Sequence, residues 1–178
     1  LSPYLASVKP ADILVALAGM NAVAAGIAAV NNVQRPRGKR VWIQLGWLYV
    51  DSTRLFEKAT DTQHVFVPDV TDLGAVERLL AQGDVAGVFT EIPNNPQLET
   101  ADVYALRRLC DQYGAKLVLD PSSVGLASVD VLPPADIVCS SLTKYAASSG
   151  DVMAGVLAVN PARPDAEALL QSARSYID

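Results

Sequence analysis

Short runs of β-branched and aliphatic residues alternate with helical stretches along the whole chain, and this alternation restricts the possible folds more than any other feature. Candidate strands cover residues 12–17, 41–45, 64–67, 85–91, 116–120, 136–140 and 155–159. Candidate helices cover 20–32, 72–82, 101–113 and 165–176, where apolar residues recur at three- and four-residue spacing. Val103, Leu106, Leu109 and Tyr113 share one face of such a helix. Thr71 and Thr100 stand as N-caps, and Gly83 and Gly114 stand where C-terminal glycines belong. Strand, helix, strand in repetition predicts an α/β fold of three layers, αβα. Its mostly parallel sheet of about seven strands is covered by helices on both faces.

The 178 residues are enough for one domain with a substantial core. Apolar residues make up 51% and charged residues 19%, which excludes intrinsic disorder because such a chain can bury enough surface to offset its entropy. Fourteen basic residues against nineteen acidic ones give a net charge of −5, the wrong sign for a nucleic-acid or anionic-membrane partner. The one basic run, Arg35-Pro36-Arg37-Gly38-Lys39-Arg40, contains Pro and Gly and reads as a solvated connection. Two cysteines, Cys110 and Cys139, and a lone His64 supply neither a disulfide framework nor a zinc site, so a reduced, cytoplasmic protein is expected. Residues 13–30 are almost free of polar groups, yet Gly19, Asn21 and Gly26 interrupt them. They read as a buried strand and a packed helix rather than a membrane span. Residues 1–12 show no convincing export signal, and the first residue is Leu. The chain is therefore read as an excerpt of a longer protein.

In open α/β sheets, ligands sit beyond the carboxyl ends of the strands, so the residues just after each strand carry the candidate chemistry. They are Gly19 and Met20 after the first strand, Tyr49 after the second, Asn94 and Asn95 after the fourth, Asp120 ending the fifth, and residues 140–144 after the sixth. The run Ser140-Ser141-Leu142-Thr143-Lys144 reads either as a solvated turn or as an amine nucleophile beside an anion site. Hydroxyls and loop amides hold phosphate, and a partly desolvated lysine is the amine that Schiff-base chemistry uses. Gly19 and Met20, opening an Ala-rich helix, add backbone N–H groups and the positive end of a dipole. Asp120 emerges from an apolar strand and either caps the turn through Pro121-Ser122 or holds a protonated heteroaromatic nitrogen. Tyr49 offers packing or a flat surface for an aromatic ring, and Asn95 shapes a turn before Pro96. His64 has no partner pattern for hydrolysis and reads as structural. No nucleophile elbow, Walker loop or complete dinucleotide fingerprint occurs.

Taken in order, these segments resemble the cystathionine γ-synthase/cystathionine lyase family of pyridoxal-phosphate enzymes in Cys/Met metabolism, across nearly the whole chain. The carrying blocks are Ala18-Gly19-Met20-Asn21-Ala22, Tyr49-Val50-Asp51-Ser52-Thr53-Arg54-Leu55-Phe56, Glu91-Ile92-Pro93-Asn94-Asn95-Pro96 and Leu117-Val118-Leu119-Asp120-Pro121-Ser122. Ser141-Leu142-Thr143-Lys144-Tyr145 and Gly150-Asp151-Val152-Met153-Ala154-Gly155 complete the series. The resemblance implies the large domain of the type I pyridoxal-phosphate transferase fold, spanning residues 1–178 without the amino-terminal arm and carboxyl-terminal domain of the whole enzyme.

It further implies that Lys144 and Tyr49 are catalytic, Lys144 carrying pyridoxal 5'-phosphate as a Schiff base and Tyr49 lying over its ring. Asp120 would face the pyridine nitrogen and Asn95 the phenolic oxygen. Ser141, Thr143 and the amides of Gly19 and Met20 would hold the phosphate, with Ser122 in the same cofactor-binding set. The implied reaction is β/γ-elimination or replacement on sulfur-containing or O-activated homoserine-type amino acids, in a homodimer or homotetramer with neither nucleic acid nor membrane as partner. An aminotransferase-like enzyme of the same superfamily, or a cofactor-free α/β module, are the alternative readings. Val50 and Asp51 stand where the family usually has two glycines, Pro121-Ser122-Ser123 where it has Asn-Thr-Phe, and Ser148-Ser149 where it has Gly-His. Ala18 stands where a serine is common.

Overall fold

In the computed structural model, which describes residues 8–58 and 63–177, the apolar runs become seven strands of a single sheet. They are β1 (Ile13–Ala16), β2 (Val41–Leu45), β3 (Gln63–Val67), β4 (Val85–Glu91), β5 (Lys116–Asp120), β6 (Ile137–Ser141) and β7 (Gly155–Val159). The helices are α1 (Gly19–Gln34), α2 (Val50–Lys58), α3 (Leu73–Leu80), α4 (Val103–Tyr113) and α5 (Ala166–Ile177). Residues 1–7, part of the stretch read for an export signal, and residue 178 lie outside the described residues.

The spatial order is β1-β7-β6-β5-β4-β2-β3. Pairing is parallel from β3 through β2, β4 and β5 to β6, whereas β7 runs antiparallel to both β6 and β1. Every residue of β2, β4, β5 and β7 is buried, as strands covered on both faces must be. One core layer packs α3 and α4 through Val76, Leu80, Leu106 and Cys110. The other packs α1, α2 and α5 through Ala22, Ala25, Ala29, Phe56, Leu169 and Ala173. Trp42, Phe56 and Phe89 are fully buried and contribute about 1.5–3 kcal/mol each.

The apolar stretch at residues 13–30 is β1 followed by α1, and its small residues have a packing reason. A Cβ at Gly26 would come within 2.9 Å of Cys139 Sγ, so α1 lies close upon β6 only because that side chain is missing. Among the described residues no helix is long and apolar enough to cross a membrane.

Several local expectations need correction. The N-caps are Asp72 and Asp102, not Thr71 and Thr100. The Asp72 carboxylate accepts the Ala75 amide at 2.8 Å and the Asp102 carboxylate accepts the Ala105 amide at 2.9 Å, so each helix begins later than its pattern suggested. Gly114 is the left-handed C-cap of α4, but Gly83 stands three residues beyond the end of α3. The helix α2 was not expected at all. The basic run 35–40 is a 3-10 turn whose side chains tie elements together: Arg37 pairs with Asp165, and Lys39 Nζ donates to the Tyr113 and Gly83 carbonyls. His64 is structural as expected, stacked on Phe56 at 5.3 Å and hydrogen-bonded to Gln44 at 2.8 Å, with burial favouring its neutral form.

Candidate active site at the carboxyl rim

Because β1 to β6 all point the same way, their carboxyl ends share one rim, and the strand order reverses between β2 and β4. This is the place where a parallel sheet opens a crevice. Asp120 ends β5 there and is 6% exposed. Burial pushes its carboxyl up to about 6, although hydrogen bonds from Ser122 pull the other way. The Ser122 amide donates to Asp120 Oδ1 at 2.8 Å, so Asp120 does cap the turn. The Ser122 hydroxyl accepts the Ser141 amide at 2.7 Å and lies 3.4 Å from the Ser140 hydroxyl. Ser122 thus stitches the end of β5 to the end of β6.

That segment lies against the start of α1. A Cβ at Gly19 would come within 2.7 Å of Ser141 Cβ, so only glycine lets the two approach this closely. The position before the helix is Ala18, which offers no side-chain cap. The first-turn amides of Gly19 and Met20 therefore face the rim without an anionic or hydroxyl acceptor from that residue. A Cβ at Gly155, where β7 begins, would meet the Ala18 carbonyl at 2.2 Å, which locks the same corner. Thr143 Oγ1 accepts the Ala154 amide at 3.3 Å and keeps its hydroxyl proton for another acceptor. The turn after Asp120 packs on the residue next to Lys144, since a Cβ at Gly125 would sit 2.9 Å from Tyr145 Cβ.

On the other side of the rim, Tyr49 opens α2 and is 44% exposed. Its carbonyl accepts the Ser52 and Thr53 amides, and its own amide donates to Glu91 Oε1 at 2.6 Å. The Ser52 hydroxyl donates to Met20 Sδ at 3.7 Å, so α2 also touches the start of α1. Asn95 is exposed in a turn built by its buried neighbour Asn94, whose Oδ1 accepts the Glu99 amide at 2.9 Å.

Gly19, Met20, Tyr49, Asp120, Ser122 and Ser141 are therefore joined by contacts or by hydrogen bonds through Ser52 and Glu91, and Thr143 and Lys144 follow directly. Lys144 is exposed, so the described residues do not supply the partial desolvation of its amine. Tyr145, next to it in the chain, is itself exposed. The sequence reading also gave no role to Glu91, which lies beside Asp120 in the sheet register and is 4% exposed. Its burial pushes the carboxyl up to about 8.

A family model described as Cys/Met metabolism PLP-dependent enzyme matches residues 7–175. The chain belongs to this family. Within it, the chain is 48% identical over 172 residues to a protein of Streptantibioticus cattleyicolor named L-2-amino-4-chloropent-4-enoate dechlorinase/desaturase. That match covers 95% of this chain and 34% of the relative. It is 38% identical over 120 residues to cystathionine γ-synthase of Saccharomyces cerevisiae, covering 67% of this chain and 19% of that one. Cystathionine γ-synthase of Xanthomonas oryzae pv. oryzae, solved in complex with cystathionine, superposes with a TM-score of 0.77 at 25% identity, over 92% of this chain and 41% of that one. The chain thus spans about a third or less of the length of the curated relatives named here.

Pyridoxal phosphate is the cofactor of the family, and the residues present fit it. The uncapped helix start, reachable only because position 19 lacks a Cβ, suits a phosphate. A buried acid held by neutral serine groups suits a cationic ring nitrogen, which would lower its carboxyl from the raised value.

Proposed function

We propose that this chain is the cofactor-binding large domain of an enzyme that eliminates or replaces a group at the β or γ carbon of an amino acid. The reading rests above all on the buried carboxyl of Asp120 in a chain of this family. The substrate class we assign is an amino acid with a leaving group on its side chain: a sulfur substituent, an activated hydroxyl or a halide. The halide enters through the 48% identity to a protein whose name puts chlorine on C4, the γ carbon, of its substrate. Val50 and Asp51, in place of the family's usual glycines, add bulk and charge beside Tyr49 and favour a substrate other than the common sulfur amino acids.

In this mechanism Lys144 would hold the cofactor through Nζ, and once the substrate's amine displaces it, the freed Nζ would take the α proton of the substrate. Pyridoxal phosphate, when bound, supplies the electron sink for the pair left at the α carbon. Asp120 keeps a cation opposite it, Tyr49 provides the flat surface, and Asn95 offers an amide to the ring oxygen. Gly19 and Met20 donate backbone N–H groups to the phosphate, and Ser141 and Thr143 donate hydroxyls. Ser122 acts one step back, since its hydroxyl already accepts the Ser141 amide.

For the whole protein we extend the reading to a cytoplasmic homodimer or homotetramer. Buried free thiols at Cys110 and Cys139 support a reducing compartment, and exposed Leu17, Tyr145 and Met153 support a subunit contact at this rim. Borohydride reduction of the full-length protein with pyridoxal phosphate, followed by peptide mapping, should place a pyridoxyl mass on Lys144. An unlabelled Lys144 in folded protein would contradict the reading. Product analysis then separates elimination, which yields ammonia and an oxo acid, from replacement, which yields a new thioether.

A further inference from the structure

A buried side chain at the end of β4 accepts a backbone amide from a segment 42 positions away. Glu91 Oε1 accepts the Tyr49 amide at 2.6 Å. Tyr49 is where α2 closes its first turn. Across the sheet Glu91 stands in register with Asp120, and the Ile92 amide donates to the Asp120 carbonyl at 2.9 Å. This carboxyl therefore ties the segment after β2 to the end of β4, which the backbone pairs with the end of β5.

We propose that Glu91 is a positioning residue of the site, whose buried carboxyl clasps the backbone of Tyr49 and so holds it at a fixed spacing from Asp120. This rests on the reading of Tyr49 and Asp120 given under the proposed function. Reach and neutrality are the two properties required. The two methylenes of glutamate carry the acceptor from the strand to the Tyr49 amide, a distance that aspartate cannot cover. Burial favours the protonated form, so the clasp adds no second anion beside Asp120. Glutamine has the same reach and no charge.

The test compares full-length wild type with Glu91→Asp and Glu91→Gln. Hydrogen exchange is followed over residues 49–53 of the cofactor-free protein, and pyridoxal phosphate affinity is measured by fluorescence titration. Glu91→Asp should speed exchange over 49–53 and weaken the cofactor by about tenfold each, while Glu91→Gln stays within about threefold of wild type in both. Unchanged exchange in Glu91→Asp, or a Glu91→Gln variant as impaired as Glu91→Asp, would overturn the proposal. Should Glu91→Asp fail to fold, Glu91→Gln alone decides: wild-type exchange and affinity support the clasp, and a tenfold change in either overturns it. Reductive labelling separates the two levels. An unlabelled wild-type Lys144 would overturn the functional reading, whereas a labelled Lys144 with unchanged exchange in Glu91→Asp would overturn only the role of Glu91.

Discussion

The two rims of the sheet treat buried charge in opposite ways. At the amino-terminal rim, Asp136 meets Arg107 at 2.6 Å and Lys116 at 3.5 Å, and it also accepts the Leu117 amide at 2.8 Å. Lys116 meets Asp165 at 3.0 Å, and Arg37 grips Asp165 with two bonds of 2.7 and 2.8 Å. Arg163 pairs with Asp111 beside them. The Arg37 and Lys116 side chains hold the Asp165 carboxyl well below the usual carboxylate range. At the carboxyl rim, Glu91 and Asp120 are buried side by side, and burial lifts them to about 8 and about 6. Their hydrogen bonds come from neutral groups, the amide of Tyr49 on Glu91 and that of Ser122 on Asp120. Paired charge anchors helices to strands, whereas an acid buried without a cation raises the folding free energy and is worth keeping only for a ligand.

The contrast breaks most directly at Lys144. Lys144→Ala in the full-length enzyme should lower turnover by at least ~10³-fold, because the nucleophile and base are lost together. Its melting temperature, measured without cofactor, should stay close to wild type, as expected for an exposed residue. Asp136→Ala should do the reverse, costing about 3–5 kcal/mol in chemical denaturation by removing the buried carboxylate that Arg107, Lys116 and the Leu117 amide share. A loss below ~1 kcal/mol would show that the amino-terminal cluster is not an anchor. Asp120→Asn should weaken pyridoxal phosphate by about tenfold or more in titration while leaving cofactor-free stability at pH 7 equal to or slightly above wild type.

The smallest effect expected is the pH dependence of cofactor-free stability, which should divide between the rims. Asp165 has a lowered folded-state value, so its contribution is present above the ordinary 3.8 and is lost as pH falls below it. Glu91 and Asp120 have raised values, so their contribution is full below their ordinary 4.5 and 3.8 and is lost as pH rises through about 8 and about 6. Glu91→Gln should therefore flatten the fall in stability between the ordinary 4.5 and about 8, and leave the acid limb unchanged. An unaltered slope in that variant would remove Glu91 from the account.

The strands were legible because each is a short apolar run bounded by turn residues, and strand ends alone brought Gly19, Tyr49, Asp120 and Ser141 to one rim. The helix α2 was not legible, since Val50–Lys58 is mostly polar and buries only Ser52 and Phe56. Its start is defined by a bond from Tyr49 to a carboxyl 42 positions away. Glu91 escaped for the same reason: nothing in Val85–Glu91 tells that its last residue is buried rather than solvated. Arg107 and Asp136 lie 29 residues apart, and Arg37 and Asp165 lie 128 apart, so no local pattern could pair them. Local cues placed N-caps at Thr71 and Thr100, but Asp72 and Asp102, one and two residues further on, took that role once the helix ends were fixed by packing.

What matters most is whether the acid at the end of β5 waits for a cation. Titration of the Asp120 carboxyl by ¹³C NMR in the full-length protein, with and without pyridoxal phosphate, asks this directly. The account predicts a midpoint near about 6 without cofactor and below the ordinary 3.8 with it. A midpoint that does not move on saturation with cofactor would contradict it.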